Sequence, residues 1–422
     1  MIALVDCNSF FCSVEKVFHP GLKNHPVCVL SSNDGCIVAL TPEAKALGLR
    51  RGDPLFKVKY IVEANDVTIF STNMQLYVAM SQRVTNIMRG TIKHVENYSI
   101  DESFCYLDGY ERVYNLEELM RSLADKIKLY TDIPVSVGIA PTKTLAKMGS
   151  KFAKQYKGYR SVCIIDTEEK RRKALELFPL KDVWGVGRRM LDQLNYYGIT
   201  TTLQFADMSE SWVKARFVKP LCQTWTELNG TPCIDTSEIK RNKSICTSRS
   251  FGDMVSDYDS LKSSVAVFAS SCANKLRAQG GVASEVTVFV KSNRFRTDLR
   301  QYADVATFYL TTPTADTLEI TDAAINILKQ IYRPGILYKK TGVILSNISE
   351  DTAIQQQLFD NISNRRERRL LMNTIDNLNH RYGVKTVRLM AEGERKQQWT
   401  VKAEHRSKNY LTDINEILTI KI

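Results

Sequence analysis

The chain has 422 residues, beyond the roughly 250–300 at which a single hydrophobic core stops growing, so three or more domains are expected. A hydrophobic fraction of 44% with 25% charged residues is that of a soluble globular protein. The formal net charge of +12 favours polyanionic partners through counterion release, without separating nucleic acid from an anionic membrane. No apolar run approaches the ~18 residues of a membrane span, and Met1 to Asp6 has no basic flank, so no signal peptide is expected. Ten cysteines occur without a C-x-x-C pair and away from the histidines. Reduced thiols in a cytoplasmic protein are the simple expectation.

Residues 1–6 read as a short buried strand ending in an acid. Val27 to Leu30 reads as a second strand, closed by the turn-like Ser31-Ser-Asn-Asp-Gly35. Pro42 to Gly48 reads as a short helix with Pro in its first turn and Gly at its end. His94 to Asp108 alternates like a hairpin. Val135 to Ile139 reads as a strand, and Thr142 caps the helix after it. Residues 168–230 read as wholly helical, 231–243 as a linker and 244–350 as mixed strand and helix. The remainder is polar, then basic.

Asp6 ends one strand, while Asp101 and Glu102 sit at the hairpin. Adjacent residues of a regular strand face opposite ways, so Asp101 and Glu102 serve one cluster only if a turn re-aims one of them. Three carboxylates from two segments suit two magnesium ions, which prefer hard oxygen ligands. By spacing alone, a capped turn and a solvated hairpin tip remain open as the alternative. Lys143, Lys147, Lys151 and Lys154 share one stripe of the helix after Thr142, with Leu145, Met148 and Phe152 on its core side. A solvated basic face explains that stripe equally well.

Asp6-x-Asn8-x-Phe10-Phe11-x-Ser13-x-Glu15 and Tyr98-Ser-Ile-Asp-Glu102 closely resemble the Y-family DNA polymerases, in particular the UmuC branch. Asn33-Asp-Gly35, Glu43 to Gly48, Thr142 to Lys147 and Trp184-Gly-Val-Gly-Arg-Arg189 extend the resemblance through nearly the whole chain. It implies an α+β right-hand polymerase: palm (1–9 and 74–164), small fingers (10–73), a helical thumb with a helix-hairpin-helix (165–230), a linker (231–243), an α/β little finger (244–348) and a C-terminal extension (349–422). The implied activity is error-prone translesion synthesis in the SOS response, without proofreading. Asp6, Asp101, Glu102 and the Cys7 carbonyl would hold two Mg2+ ions. Phe10 and Phe11 fall in the nucleotide-binding stretch, with Phe11 at the steric gate that excludes a 2′-hydroxyl. Lys45, Lys147 and Lys154 would meet the triphosphate. Pro42 stands where other branches place a phosphate-binding Tyr, which shifts that work to the lysines and backbone amides.

Gly185 and Gly187 let the backbone approach a phosphate, and Arg188 and Arg189 add charge without base specificity. A plain helix-helix turn is the rival reading. Arg249, Lys291, Arg294 and Arg296 are candidate DNA-backbone contacts. Gln355, Leu358 and Phe359 resemble a sliding-clamp peptide, with Gln356 where Leu is usual. Arg365 to Arg369 reads as a solvated helix face or a further DNA contact. Implied partners are primer-template DNA, deoxynucleoside triphosphates, the sliding clamp, a processed UmuD-type dimer and a RecA filament, with no membrane. A binding-only protein that keeps the fold and another two-metal palm enzyme, such as a nucleotide cyclase, are the rivals.

Overall fold

The computed structural model describes residues 1–236, 241–351, 362, 364–393 and 399–418. It comprises two compact units, Met1–Ile239 with Glu404–Ile422, and Lys240–Ala403. No helix among the described residues is long and apolar enough to cross a membrane.

The first unit is built on a five-stranded sheet in the order β5-β6-β1-β7-β8. Its strands are β1 (Ile2–Cys7), β5 (His94–Asn97), β6 (Glu102–Tyr106), β7 (Val135–Ala140) and β8 (Val162–Ile164). β1 pairs antiparallel with both β6 and β7. It is the central strand, which explains why Ile2-Ala-Leu-Val5 is apolar on both faces. Ala3, Val5 and Cys7 feed a core shared with α4 (Met74–Arg89) and α5 (Leu116–Thr131). Ile2 and Leu4 feed the opposite core, shared with α6 (Lys143–Gln155) and the helices after it. By the same alternation Asp6 lies on the α6 side.

A three-stranded sheet in the order β3-β2-β4 joins β2 (Val27–Leu30), β3 (Ile37–Leu40) and β4 (Thr68–Ser71). With it go α1 (Phe10–Phe18), α2 (Pro42–Ala46) and α3 (Leu55–Ala64). Pro42 does open α2, and Thr41 caps it. The stretch expected to be helical forms α7 (Glu168–Leu177), α8 (Arg188–Tyr196), α9 (Thr202–Ala206), α10 (Glu210–Arg216) and α11 (Lys219–Leu228).

The second unit runs β9 (Ile245–Val255), α12 (Tyr258–Ala278), β10 (Gly281–Ser292), β11 (Ala303–Thr314), α13 (Thr317–Ile331) and β12 (Tyr338–Glu350). Its sheet order is β11-β10-β12-β9, antiparallel throughout. A final helix, α14 (Arg365–Tyr382), follows. In its basic run Arg365 and Arg368 are partly buried, while Arg366 and Arg369 are exposed. Arg365 pairs with Glu319 at 3.0 Å, Arg368 with Asp316 at 2.5 Å, and Arg369 with Asp351. α14 falls in the second unit, and residues from Glu404 onward fall in the first.

Candidate active site

The acidic centre is assembled by strand register. Asp6 lies opposite Glu102 in the β1–β6 ladder, and directly paired side chains share a face with their Cβ atoms about 4.5–5.5 Å apart. The hairpin turns through residues 98–101: Tyr98 N and Ser99 N donate to the Glu102 carbonyl at 3.1 and 3.0 Å. Ser99 Oγ accepts from the amides of Asp101 and Glu102 at 3.2 and 3.0 Å, and donates to Asp101 Oδ1 at 2.6 Å. This bend breaks strand alternation at Asp101. The Asp101 carbonyl in turn accepts from Cys7 N at 2.9 Å, which ties it to the end of β1. Immediately beyond, Ser9 adopts the left-handed conformation (φ 45°) and turns the chain into α1.

Two lysines of the α6 stripe meet this acidic face, while Lys151 pairs with Asp182 at 2.7 Å. Lys154 reaches Asp6 at 3.1 Å and Lys147 reaches Glu102 at 2.7 Å. Burial pushes the Asp6 carboxyl above the ordinary carboxylate range. The Lys154 ammonium pulls it back, and the charges of Glu102 and Asp101 push it up further. Lys147 also lies over the rings of Tyr98 at 4.5 Å and Trp184 at 5.2 Å, so cation–π attraction holds its ammonium in place.

Among the described residues, no group of three or more carboxylate, thiol or imidazole side chains converges closely enough to hold an ion. Two of the three acids are each turned toward a lysine instead. The donor chemistry nevertheless suits a hard divalent cation. All three groups are carboxylates, and their mutual repulsion at Asp6 is the charge that such a cation neutralises.

Lys143 departs from the expected exposed stripe. It is 2% exposed, paired with both Glu96 oxygens at 3.2 and 3.0 Å, and over the Phe104 ring at 4.9 Å. Tyr106 donates to Glu96 at 2.6 Å, and Thr236 donates to it as well. The start of α6 is secured a second time by Glu227, 1% exposed, which accepts from Thr144 N at 2.8 Å and Thr144 Oγ1 at 2.6 Å. Sequence reasoning missed both acids, because no local pattern marks a partner 47 or 83 positions away.

The Glu96 pairing predicts an acid sensitivity. Burial alone would raise this carboxyl, but hydrogen bonds from Thr236, Tyr106 and Lys143, with the Lys143 charge, hold it below its ordinary value of 4.5. A depressed folded-state pKa contributes stability that is complete above the unfolded value and lost as pH falls through the folded one. Glu96→Gln is therefore expected to lower stability at pH 7 and to flatten its decline below about pH 4.5. Denaturant unfolding across pH 3–7 checks this; parallel curves for the two proteins would contradict it.

The remaining candidates divide. Phe10 is buried at 3% exposure, whereas Phe11 is partly exposed and stacks on Tyr77 with ring centroids 4.5 Å apart. Lys45 is exposed on α2 and forms no ion pair with the three acids. Gly185 has φ +93°, and a Cβ there would meet Thr224 Oγ1 at 2.3 Å, so the turn requires glycine. Gly187 caps α8, and Arg188 and Arg189 are its exposed first residues. In the second unit Arg249 is exposed on β9 and Lys291 at the end of β10. Arg294 and Arg296 lie in the turn after β10, where Arg296 is already paired with Asp298 at 2.6 Å. Gln355, Leu358 and Phe359 lie outside the described residues.

A sheet with paired carboxylates under a lysine-bearing helix, followed along the chain by a β-α-β-β-α-β unit, has the fold of the Y-family DNA polymerases. A chimera of the Y-family DNA polymerases Dbh and Dpo4 superposes with TM-score 0.64 at 22% identity, over 83% of this chain and 100% of that one. An insertion ternary complex of Dbh DNA polymerase gives TM-score 0.54 at 21% identity, over 83% and 100%.

The chain belongs to the impB/mucB/samB family, in the UmuC branch of the Y-family polymerases. The family model matches residues 5–151, its C-terminal domain residues 242–358, and a domain of unknown function residues 369–420. The chain is similar to protein UmuC of Salmonella typhimurium, 38% identical over 100% of both chains, and to protein ImpB of Salmonella typhimurium, 39% identical over 99% of both. DNA polymerase IV 2 of Bacillus subtilis is 27% identical, over 93% of this chain and 96% of that protein.

Proposed function

We propose that this protein is an error-prone, template-directed DNA polymerase of the SOS damage response, which adds deoxynucleotides to a primer end without proofreading. The observation that carries the reading is the Asp6–Glu102 register with Asp101 in the adjoining bend, on the sheet face beneath Lys147 and Lys154, in a chain of this family.

The five-stranded sheet with α4 to α6 corresponds to the palm (1–9 and 74–164), the three-stranded sheet with α1 to α3 to the fingers (10–73), and α7 to α11 to the thumb (165–230). The second unit supplies the little finger (244–348). Asp6, Asp101, Glu102 and the Cys7 carbonyl would hold two magnesium ions. When bound, these supply Lewis-acid activation of the primer hydroxyl and charge stabilisation of the pyrophosphate. The chain's own residues position and screen. Lys154, shared with Asp6, and Lys147, held beside Glu102, bring positive charge to the triphosphate. Lys45 would add charge from the fingers side. The Phe11 ring, braced on Tyr77, bars a 2′-hydroxyl, and Phe10 anchors that stretch in the core.

Gly185, Gly187, Arg188 and Arg189 would grip primer-template DNA at its phosphates, and Arg249, Lys291, Arg294 and Arg296 would extend the grip on the little finger. Gln355, Leu358 and Phe359 would engage the sliding clamp. A processed UmuD-type dimer and a RecA filament would complete the active assembly. The test is magnesium-dependent extension of a primer on a damaged and an undamaged template, with clamp, UmuD-type dimer and activated RecA supplied. Templated addition is expected on both. DNA binding without addition would instead favour a binding-only protein.

A further inference from the structure

Residues from Glu404 onward belong to the first unit, where they lie against β4, the start of α4 and α1. Ser71 and Arg406 form a parallel bridge. Ser71 N donates to the His405 carbonyl at 3.0 Å, and His405 N donates to Ser71 Oγ at 3.0 Å. The Asn73 carboxamide donates to the Ser407 and Lys408 carbonyls at 3.0 and 3.3 Å. Tyr410, 9% exposed, stacks on Phe18 with centroids 4.8 Å apart. The segment is thus held by backbone pairing, a side-chain clamp and an aromatic anchor.

It ends on a buried relay. Ser407 Oγ donates to Glu15 Oε1 at 3.0 Å, and the Tyr77 hydroxyl donates to the same oxygen at 2.6 Å. Glu15 and Tyr77 are both 0% exposed. The other carboxylate oxygen, Glu15 Oε2, is buried without a hydrogen-bond partner, so two hydroxyls hold this acid. The Tyr77 ring then stacks on Phe11 at 4.5 Å and 16°. Ser407, Glu15, Tyr77 and Phe11 form one continuous line from the C-terminal segment to the partly exposed ring.

We propose that Ser407 is a positioning residue for sugar selection: it holds Glu15, Glu15 holds the Tyr77 hydroxyl, and Tyr77 sets the plane of Phe11. This rests on the reading of Phe11 as the steric gate. A gate of this kind works by hard contact, so a displacement of a fraction of an ångström decides whether a 2′-hydroxyl fits. Removing the Ser407 hydroxyl leaves a buried carboxylate with one donor, which it can satisfy only by reorienting. Tyr77 then loses its fixed partner, and the stacked Phe11 ring gains freedom.

The test compares kcat/KM for a matched deoxynucleoside triphosphate with that for its ribonucleotide. Ser407→Ala is expected to lower this preference about fivefold, while Ser407→Thr, which restores the hydroxyl, retains it. Phe11→Ala should abolish most of it. If Ser407→Ala does not fold, Tyr77→Phe keeps the ring stack, removes the hydroxyl and carries the same expectation. An unchanged preference in Ser407→Ala beside a lost one in Phe11→Ala overturns the proposal alone. An equal fall for both sugars, not reversed by Thr, overturns it too by reducing Ser407 to a structural role. A preference retained in Phe11→Ala removes the gate itself, and the proposal with it.

Discussion

Asp101→Asn is expected to cut templated primer extension at least about a thousandfold, equivalent to roughly 4 kcal/mol of transition-state stabilisation. Asp101 is the cleanest of the three acids to change. Asp6 and Glu102 each hold a lysine at 3.1 and 2.7 Å, so replacing either also releases a positive charge. Asp101 is held mainly by Ser99, which donates to Oδ1 at 2.6 Å, and an Asn carbonyl oxygen can accept that bond. The substitution removes a charge without removing the bend. Thermal stability and primer-template affinity should therefore stay close to wild type, within about 1 kcal/mol for an isosteric change. Steady-state extension at saturating magnesium, read beside a melting curve, makes the comparison. Wild-type activity in a preparation free of other polymerases would refute the assignment of this acid to the cation site.

Gly138→Ala should be the most damaging small substitution in the five-stranded sheet. A Cβ at this position of β7 would sit 2.0 Å from the Ala146 carbonyl oxygen and 2.1 Å from Ser150 N, both backbone atoms of α6. Gly149 completes the close approach from the helix side, its own Cβ position lying 3.0 Å from Gly138 Cα. Backbone cannot move aside as a flexible side chain can, so α6 must lift from the sheet at a cost of about 3 kcal/mol or more. That is a large part of a typical stability of ~5–15 kcal/mol. It would also draw Lys147 and Lys154 away from Glu102 and Asp6, so activity should fall with stability. Gly158→Ala is the matched control, because nothing lies within 4 Å of its Cβ position. Urea unfolding of the two variants should differ by most of the predicted cost, and equal midpoints would contradict it.

Several elements were determined by the sequence alone because their causes are local. Alternation and apolar runs marked β1, β2 and the 94–108 hairpin. Thr142 marked the start of α6, whose Leu145 oxygen-capped amide and buried Met148 and Phe152 follow the expected helical spacing. The three acids and the lysine stripe were legible as residue types in sequence order. Only the tertiary structure decided how they meet. Strand register places Asp6 against Glu102, and the hydrogen bonds of Ser99 break alternation at Asp101. Lys143 shows the limit most clearly: it shares a helical stripe with Lys147 and Lys154, yet it is buried, because Glu96 arrives from another strand. The pairings of Glu227 with Thr144 at the start of α6 and of Ser407 with Glu15 are long-range contacts of the same kind. A helix or strand follows from the spacing of its own residues, whereas a buried charge is tolerated only where a distant partner meets it, and no local pattern carries that partner's address.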